Sequence, residues 1–209
     1  MLIDLDVRDL LAAFSSPDPT PGGGSAAALA SALGTSLLSM VGGLTKTRTG
    51  ADRERAALAS ATPQLLDLRD RLARAIDEDT AAYDRVVAAY KLRKASAEEQ
   101  QARTDAIQQA LRAATDVPLA VMRLSAAALA AAETVAAHGH AGASSDVGVA
   151  LALLAAGLHG ARLNVEINLG SVRDEGYVAG VREEVEQLSR QAQQSGAVAG
   201  QSLTGRGRG

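Results

Sequence analysis

The chain has 209 residues, a formal net charge of −3, 47% apolar residues, 2% aromatic residues and no cysteine. Its length allows one domain with a substantial core, and the missing thiols exclude disulfides, thiolate metal sites and cysteine nucleophiles. Interspersed charge of slightly negative balance points away from a nucleic-acid surface, and apolar content dominated by Ala, Leu and Val implies closely packed helices.

Asp4 or Asp6 is placed to cap a short helix through Val7, Leu10, Leu11 and Phe14, ended by Ser15-Ser16-Pro17. Thr20-Pro21-Gly22-Gly23-Gly24-Ser25 then runs into Ala26-Ala27-Ala28, with no charged residue between Pro19 and Thr45. Glycines let another molecule approach the main chain, and Ser25 stands where a helix N-cap belongs. Free N–H groups are predicted to point back at the glycines, a recipe for holding an anion or polar ligand. A tight loop opening a buried helix is the plainer alternative. Helix is expected over residues 25–45, followed by a basic, polar loop at residues 46–50.

A charged helix begins near Asp52 and continues to about Leu92, with Thr62-Pro63 as a fresh start or a kink. Ser96-Ala97-Glu98-Glu99 reads as a capping box. Pro118 is expected to interrupt or restart that helix, which resumes from Leu119 to about Ala137. The turn His138-Gly139-His140-Ala141-Gly142 offers two histidines without a third ligand, so no metal site is expected. Ser144-Ser145-Asp146 caps a helix to about Leu169, and residues 174–194 form the last one. Residues 1–200 read as one helical domain, and residues 201–209, with the tail Gly205-Arg206-Gly207-Arg208-Gly209, read as disordered.

Strand alternation is essentially absent, so an all-α, antiparallel helical bundle is expected. The uncharged run after Pro19 and the run from Val147 to Ala161 read as helices buried in protein and not in lipid: the first opens with a Pro/Gly loop, the second is short. Asp4, Asp6 and Asp9 behind Met1 do not form a signal peptide. A soluble, cytoplasmic protein with no membrane or nucleic-acid partner is therefore expected.

Two helical faces carry chemistry. The apolar stripe Leu65, Leu68, Leu72, Ile76 continues through Asp79, Tyr83, Val86 and Tyr90, so Asp79 falls on the line that should be buried. An ionised carboxylate there is costly unless it is paired, protonated or facing a cavity. Asn164 and Asn168 lie one turn apart among Leu163, Val165, Ile167 and Leu169, where amides either bridge helices or recognise a ligand.

Ordered landmarks run from Pro19 to Leu169: Pro19-Thr-Pro-Gly-Gly-Gly-Ser25, Leu38-Ser-Met-Val-Gly-Gly-Leu-Thr45, Asp77-Glu-Asp79-Thr-Ala-Ala-Tyr83 and Ala89-Tyr-Lys-Leu-Arg-Lys94, then Val117-Pro-Leu119, Ser145-Asp-Val-Gly-Val149 and Asn164-Val-Glu-Ile-Asn-Leu169. Together they resemble the cyclodeaminase/cyclohydrolase family of folate one-carbon metabolism. The resemblance implies an all-helical homodimer with a folate cleft at or near the dimer interface. It implies a tetrahydrofolate derivative as partner, no further cofactor, and Asp79 as the catalytic carboxylate. Gly22, Gly23, Gly24, Ser25, Tyr83, Lys94, Asp146, Asn164 and Asn168 are the implied substrate-binding residues. The chain departs from the family pattern at Arg93, where the family reads Pro, and at His140, where it commonly reads Asn. The implied activity is cyclodeamination of 5-formiminotetrahydrofolate or hydrolysis of 5,10-methenyltetrahydrofolate, with Asp79 as general acid/base. A non-catalytic folate-binding or scaffold dimer is the alternative.

Overall fold

The computed structural model describes residues 1–204. A 3-10 turn at Leu2–Asp4 leads to α1 (Val7–Phe14), capped by the Asp6 side chain, which accepts from the Asp9 N–H. Then come α2 (Gly23–Gly42), α3 (Asp52–Tyr90), α4 (Ala97–His138), α5 (Ser144–Leu169) and α6 (Glu175–Thr204). Among the described residues there is no strand, only an isolated bridge between Thr47 and Gly139, so the all-α expectation holds. Helices α2, α3, α4 and α5 close a ring in which each packs on the next, and α6 lies against α4 and α5. Leu38, Leu65, Leu72, Ile76, Leu119, Met122 and Leu154 fill its centre. The ring is tight because α2 and α5 meet at glycines: Gly34 faces Ala150 and Leu154, and Gly157 faces Ser31 and Ala27.

Neither internal proline breaks its helix. Proline deletes the N–H that would reach the carbonyl four residues back. For Pro118 that carbonyl is Ala114, and it accepts instead from Asn168 Nδ2 at 2.8 Å. Tertiary structure thus supplies the donor that the sequence removed. Pro63 likewise lies inside the continuous α3, one residue after Thr62, whose hydroxyl donates to the Leu58 carbonyl.

Several expected boundaries move. Helix α2 ends at Gly42, before Thr45, with Gly43 as its C-cap. Helix α5 has Ala143 as N-cap and no side-chain cap, and the Ser144 hydroxyl donates to the Ala141 carbonyl instead. Helix α6 continues ten residues past Gln194 because Ser195 and Ala199 are still buried. Residues 201–204 are therefore helical where disorder was expected, while residues 205–209 lie outside the described residues. The basic loop at residues 46–50 is pinned at its middle: the Arg48 N–H and guanidinium donate to the His138 and Ala136 carbonyls. The buried Glu54 carboxylate accepts from the Thr47 hydroxyl and the Thr49 N–H, which holds its pKa down at about 2.

By length and composition, Gly23–Gly42, Ala97–His138 and Ala141–Leu169 could each cross a membrane. The first two turn most of that surface inward, but only 33% of the third is buried. The expectation of a fully buried residue 147–161 segment thus holds on one side only. Val149, Leu163 and Ile167 of α5, together with Leu33 and Met40 of α2, are exposed.

Candidate active site

At the end of the ring where α2 begins, a cavity of about 320 Å³ opens between α2, α3, α4 and α5. That lies at the lower end of the range for small-molecule sites. Pro19, Thr20 and Gly22 to Gly24 form one wall, and Asp79, Ala82, Tyr83 and Val86 of α3 form another. Leu111 and Ala114 of α4, with Asn164 and Asn168 of α5, complete it. The Thr20–Pro21 peptide in this wall is cis.

Ser25 is not the N-cap. Gly22 takes that position, and Ser25 sits fully buried in the first turn of α2. A cap without a side-chain oxygen leaves the first-turn N–H groups unsatisfied. The Asp79 carboxylate fills the vacancy: Oδ2 accepts from the Ser25 N–H at 2.8 Å. The helix N-terminus thus holds an anion, as its dipole favours, but that anion is a side chain of the same protein. Gly24 makes this approach possible, because a Cβ there would overlap the Asp79 carboxyl group.

The Ser25 hydroxyl lies 2.9 Å from both Asp79 Oδ2 and the Ile76 carbonyl. It has one proton to give, so it serves one of them at a time. Burial pushes the Asp79 carboxyl above its ordinary value, and the Ser25 hydroxyl and N–H bonds oppose the rise. The periodicity of α3 had placed Asp79 on a buried line, and the structure shows why a carboxylate is tolerated there. The stripe meets a cavity at that turn and leaves the core by Tyr83, which is exposed.

The two asparagines are oriented by their own bonds. Asn164 Nδ2 donates to the Gly160 carbonyl and Asn168 Nδ2 to the Ala114 carbonyl, each at 2.8 Å. One N–H of each amide is thereby committed, and each retains a second N–H and an Oδ1 acceptor on a cavity-lining residue. With the Asp79 carboxyl and the Thr20 and Tyr83 hydroxyls, the side chains offer both acceptors and donors, which suits a ligand that presents both.

Of the sequence-derived residues, the cavity gathers Gly22, Gly23, Gly24, Asp79, Tyr83, Asn164 and Asn168, with Ser25 just behind Asp79. Lys94 and Asp146 do not line it. Lys94 is exposed in the loop between α3 and α4, and Asp146 lies in the first turn of α5, at the opposite end of that helix from Asn164. Thr20, Ala82, Val86, Leu111 and Ala114 were not singled out. Val86 lies on the Asp79 stripe and Ala82 beside it, whereas nothing in the local sequence marks Leu111 or Ala114. Among the described residues no three His, Asp or Glu side chains are grouped to hold a metal.

The chain is similar to proteins of known function along nearly its whole length. It is 39% identical over 186 residues to a methenyltetrahydrofolate cyclohydrolase of Methylorubrum extorquens, covering 89% of each chain. It is 32% identical over 197 residues to the formimidoyltransferase-cyclodeaminase of Sus scrofa, covering 94% of this chain but 36% of that longer protein. The crystal structure of formiminotetrahydrofolate cyclodeaminase from Thermotoga maritima superposes with a TM-score of 0.87 at 25% identity, over 98% of both chains. The family model described as formiminotransferase-cyclodeaminase matches residues 6–187. The helical ring, the glycine wall and the ordered landmarks thus converge on one assignment: the chain belongs to the formiminotransferase-cyclodeaminase family.

Proposed function

We propose that this chain is a 5,10-methenyltetrahydrofolate cyclohydrolase that uses Asp79 as general acid/base in the cavity. The observation carrying the reading is a desolvated carboxylate, raised in pKa, on the wall of a pocket lined by amide and hydroxyl groups. The pterin ring presents N–H donors to such a wall. In hydrolysis, water attacks the methenyl carbon while Asp79 takes one of its protons. That proton passes to N5 as the C–N5 bond breaks, the remaining hydroxyl proton is released, and 10-formyltetrahydrofolate results. The similarity to the Methylorubrum extorquens cyclohydrolase, of nearly equal length, supports this reaction.

Cyclodeamination is the second reading, supported by the similarity to the Thermotoga maritima cyclodeaminase. There N10 attacks the protonated formimino carbon, and Asp79 moves the N10 proton to the nitrogen that departs as ammonia. Both reactions pass through a tetrahedral carbon between N5 and N10, so one positioned carboxyl group serves either.

The proposed assembly is a soluble, cytoplasmic homodimer of single-domain, antiparallel bundles, without a further cofactor, nucleic acid or membrane. The exposed apolar residues of α2 and α5 support a protein partner on that face. Turnover of both substrates by the purified chain, followed by methenyl absorbance and ammonia release, tests the reading. Asp79→Asn is expected to lower kcat at least about a hundredfold while folate still binds. Turnover of neither substrate, or an Asn variant with wild-type kcat, overturns it.

A further inference from the structure

The cavity has no counter-charge for the ligand proposed above. Folates end in glutamate carboxylates, yet no Lys or Arg lines the pocket. A second cavity of about 330 Å³ is lined by Tyr90 of α3, by Arg103, Ile107 and Gln108 of α4, and by Ser171 and Arg173 between α5 and α6. It continues the first along three elements. Val86 and Tyr90 are one turn apart on α3, Leu111 and Ile107 are one turn apart on α4, and Asn168 precedes Ser171 at the end of α5. Each pair puts one residue in each cavity, so the second begins about 6 Å beyond the first.

Its two arginines are held in place and left without an acid partner. Arg103 donates from Nε and Nη2 to the Tyr90 carbonyl, at 3.3 and 3.0 Å, and its guanidinium carbon stands 5.6 Å from the centre of the Tyr90 ring. Gln108 clamps the other side. Its Nε2 donates to the Ser171 carbonyl at 3.2 Å, and its Oε1 accepts from the Arg173 N–H at 2.8 Å. Among the flanking acids, Glu99 pairs with Arg93, Asp105 accepts from Gln101 and Asp174 pairs with Arg112. No Asp or Glu lines this cavity, and neither Arg103 nor Arg173 forms an ion pair among the described residues. A guanidinium has five N–H donors in a planar fork, so Arg103 keeps donors beyond those that hold it.

Asp79, Tyr83, Val86 and Tyr90 follow one another along one face of α3 and lead from the first cavity to the second. Tyr90 stands about 16 Å from Asp79 along the helix axis. The reacting carbon lies between N5 and N10, so it sits at Asp79. Beyond N10 a folate continues as an aromatic ring, an amide and a glutamate, a stretch that covers this span when extended. Charge selects the same direction. Towards the start of α3, Asp77 accepts from the Leu2 N–H, and residues 1–18 carry Asp4, Asp6, Asp9 and Asp18 against Arg8 alone. That end repels a carboxylate tail, and the arginine end attracts it.

We propose that the second cavity is the carboxylate subsite for the folate substrate, in which the Arg103 and Arg173 guanidiniums receive the glutamate tail. The Tyr90 ring flanks the stretch that leads to it, and Gln108 positions Arg173. The identity of the tail rests on the folate reading above; the affinity of the two arginines for a carboxylate does not. Because the subsite is open to solvent, each arginine is expected to contribute about fivefold in affinity, and added salt to weaken that contribution.

The test compares two substrates that differ only in the tail, 5,10-methenyltetrahydrofolate and 5,10-methenyltetrahydropteroate. Wild type is expected to show the lower KM for the tailed substrate, with the preference shrinking as salt is added. Arg103→Ala and Arg173→Ala should each raise that KM about fivefold and narrow the preference, and Arg173→Lys should recover part of it. A merely structural lesion raises both KM values by the same factor and leaves the preference intact. That result, or equal KM values in wild type, overturns the subsite. Calorimetry with 5-formyltetrahydrofolate and the tail-less 5-formyltetrahydropteroate needs no turnover. Tail-dependent binding that is lost in the arginine variants, with no turnover of either substrate, refutes the functional reading and keeps the subsite. Turnover with a preference indifferent to both arginines refutes the subsite and keeps the reading. Absence of folate binding overturns both.

Discussion

Gly24→Ala adds one methyl group and tests the central feature of the site. The new Cβ would lie 2.6 Å from Asp79 Cγ and 2.8 Å from Oδ2, where ordinary van der Waals contact needs roughly 3.5 Å. The carboxyl group must therefore retreat by about 1 Å, toward the cavity, because the α2 backbone blocks the other side. The Ser25 N–H bond of 2.8 Å would then stretch past hydrogen-bonding range. Losing one hydrogen bond to a charged group costs about 1.5–3 kcal/mol. A misplacement of about 1 Å in a catalytic group costs on the order of a hundredfold in rate, equivalent to about 2.7 kcal/mol. The two routes agree, so kcat should fall about thirty- to a hundredfold. Folding should survive, because alanine in a helix gains up to about 1 kcal/mol over glycine. The assay is steady-state turnover alongside thermal unfolding by circular dichroism. A Gly24→Ala protein with wild-type kcat and unchanged Tm would show that the carboxyl is not held at the α2 N-terminus during turnover.

Gly157→Ala should destabilise the ring itself, by about 1–3 kcal/mol of overpacking, since its Cβ would press on the Ser31 hydroxyl and the Ala27 carbonyl at the α2–α5 crossing; a lowered denaturant midpoint with unchanged slope checks it. Glu54 and Asp79 should influence stability with opposite pH dependence. Glu54 is depressed from 4.5 to about 2, so its contribution is present above 4.5 and is lost as pH falls toward 2. Glu54→Gln should therefore lower Tm by several degrees at neutral pH and flatten the acid limb of the Tm profile. Asp79 is raised from 3.8, so its contribution is present below 3.8 and is lost as pH rises through the folded value. Asp79→Asn should accordingly gain on wild type as pH rises, and a variant-minus-wild-type Tm difference that moves in the same direction with pH for both variants would refute the assignment.

The helices were legible because their signals are local. Asp6 and Ser96 cap as their spacing implies, with side chains accepting from Asp9 and Glu99 respectively. Asp79 was legible for the same reason, since a period of 3.6 residues needs no knowledge of the fold. What was not legible depends on residues far apart in sequence. Pro118 looks like a break until Asn168 is seen to donate to Ala114. Ser25 looks like a cap until Asp79, 54 positions away, is seen to occupy the helix N-terminus instead. Glycine carried only part of its meaning in the sequence for a related reason. The wall at Gly22 to Gly24 suggested room for a ligand, and all three glycines do line the cavity, but Gly24 also makes room for the protein's own carboxylate.

The pairing of Asp79 with Ser25 also explains how one carboxyl can both take and return a proton without reorganising its surroundings. When Asp79 is ionised, the Ser25 N–H and hydroxyl both donate to Oδ2. When it is protonated, the hydroxyl can turn to the Ile76 carbonyl, also 2.9 Å away, and its oxygen can accept from the new carboxylic O–H. Rotation of one hydroxyl thus keeps the buried polar atoms satisfied in either state, avoiding the penalty of an unpaired group. Desolvation raises the carboxyl pKa against the restraint of these bonds, and the net rise narrows the free-energy gap between the two states at neutral pH. A narrow gap is what a group needs to relay a proton between water or N10 and a departing nitrogen, because neither transfer is then strongly uphill. Ser25→Ala removes the switch but leaves the backbone N–H in place, so the loss falls on proton transfer and not on the position of Asp79.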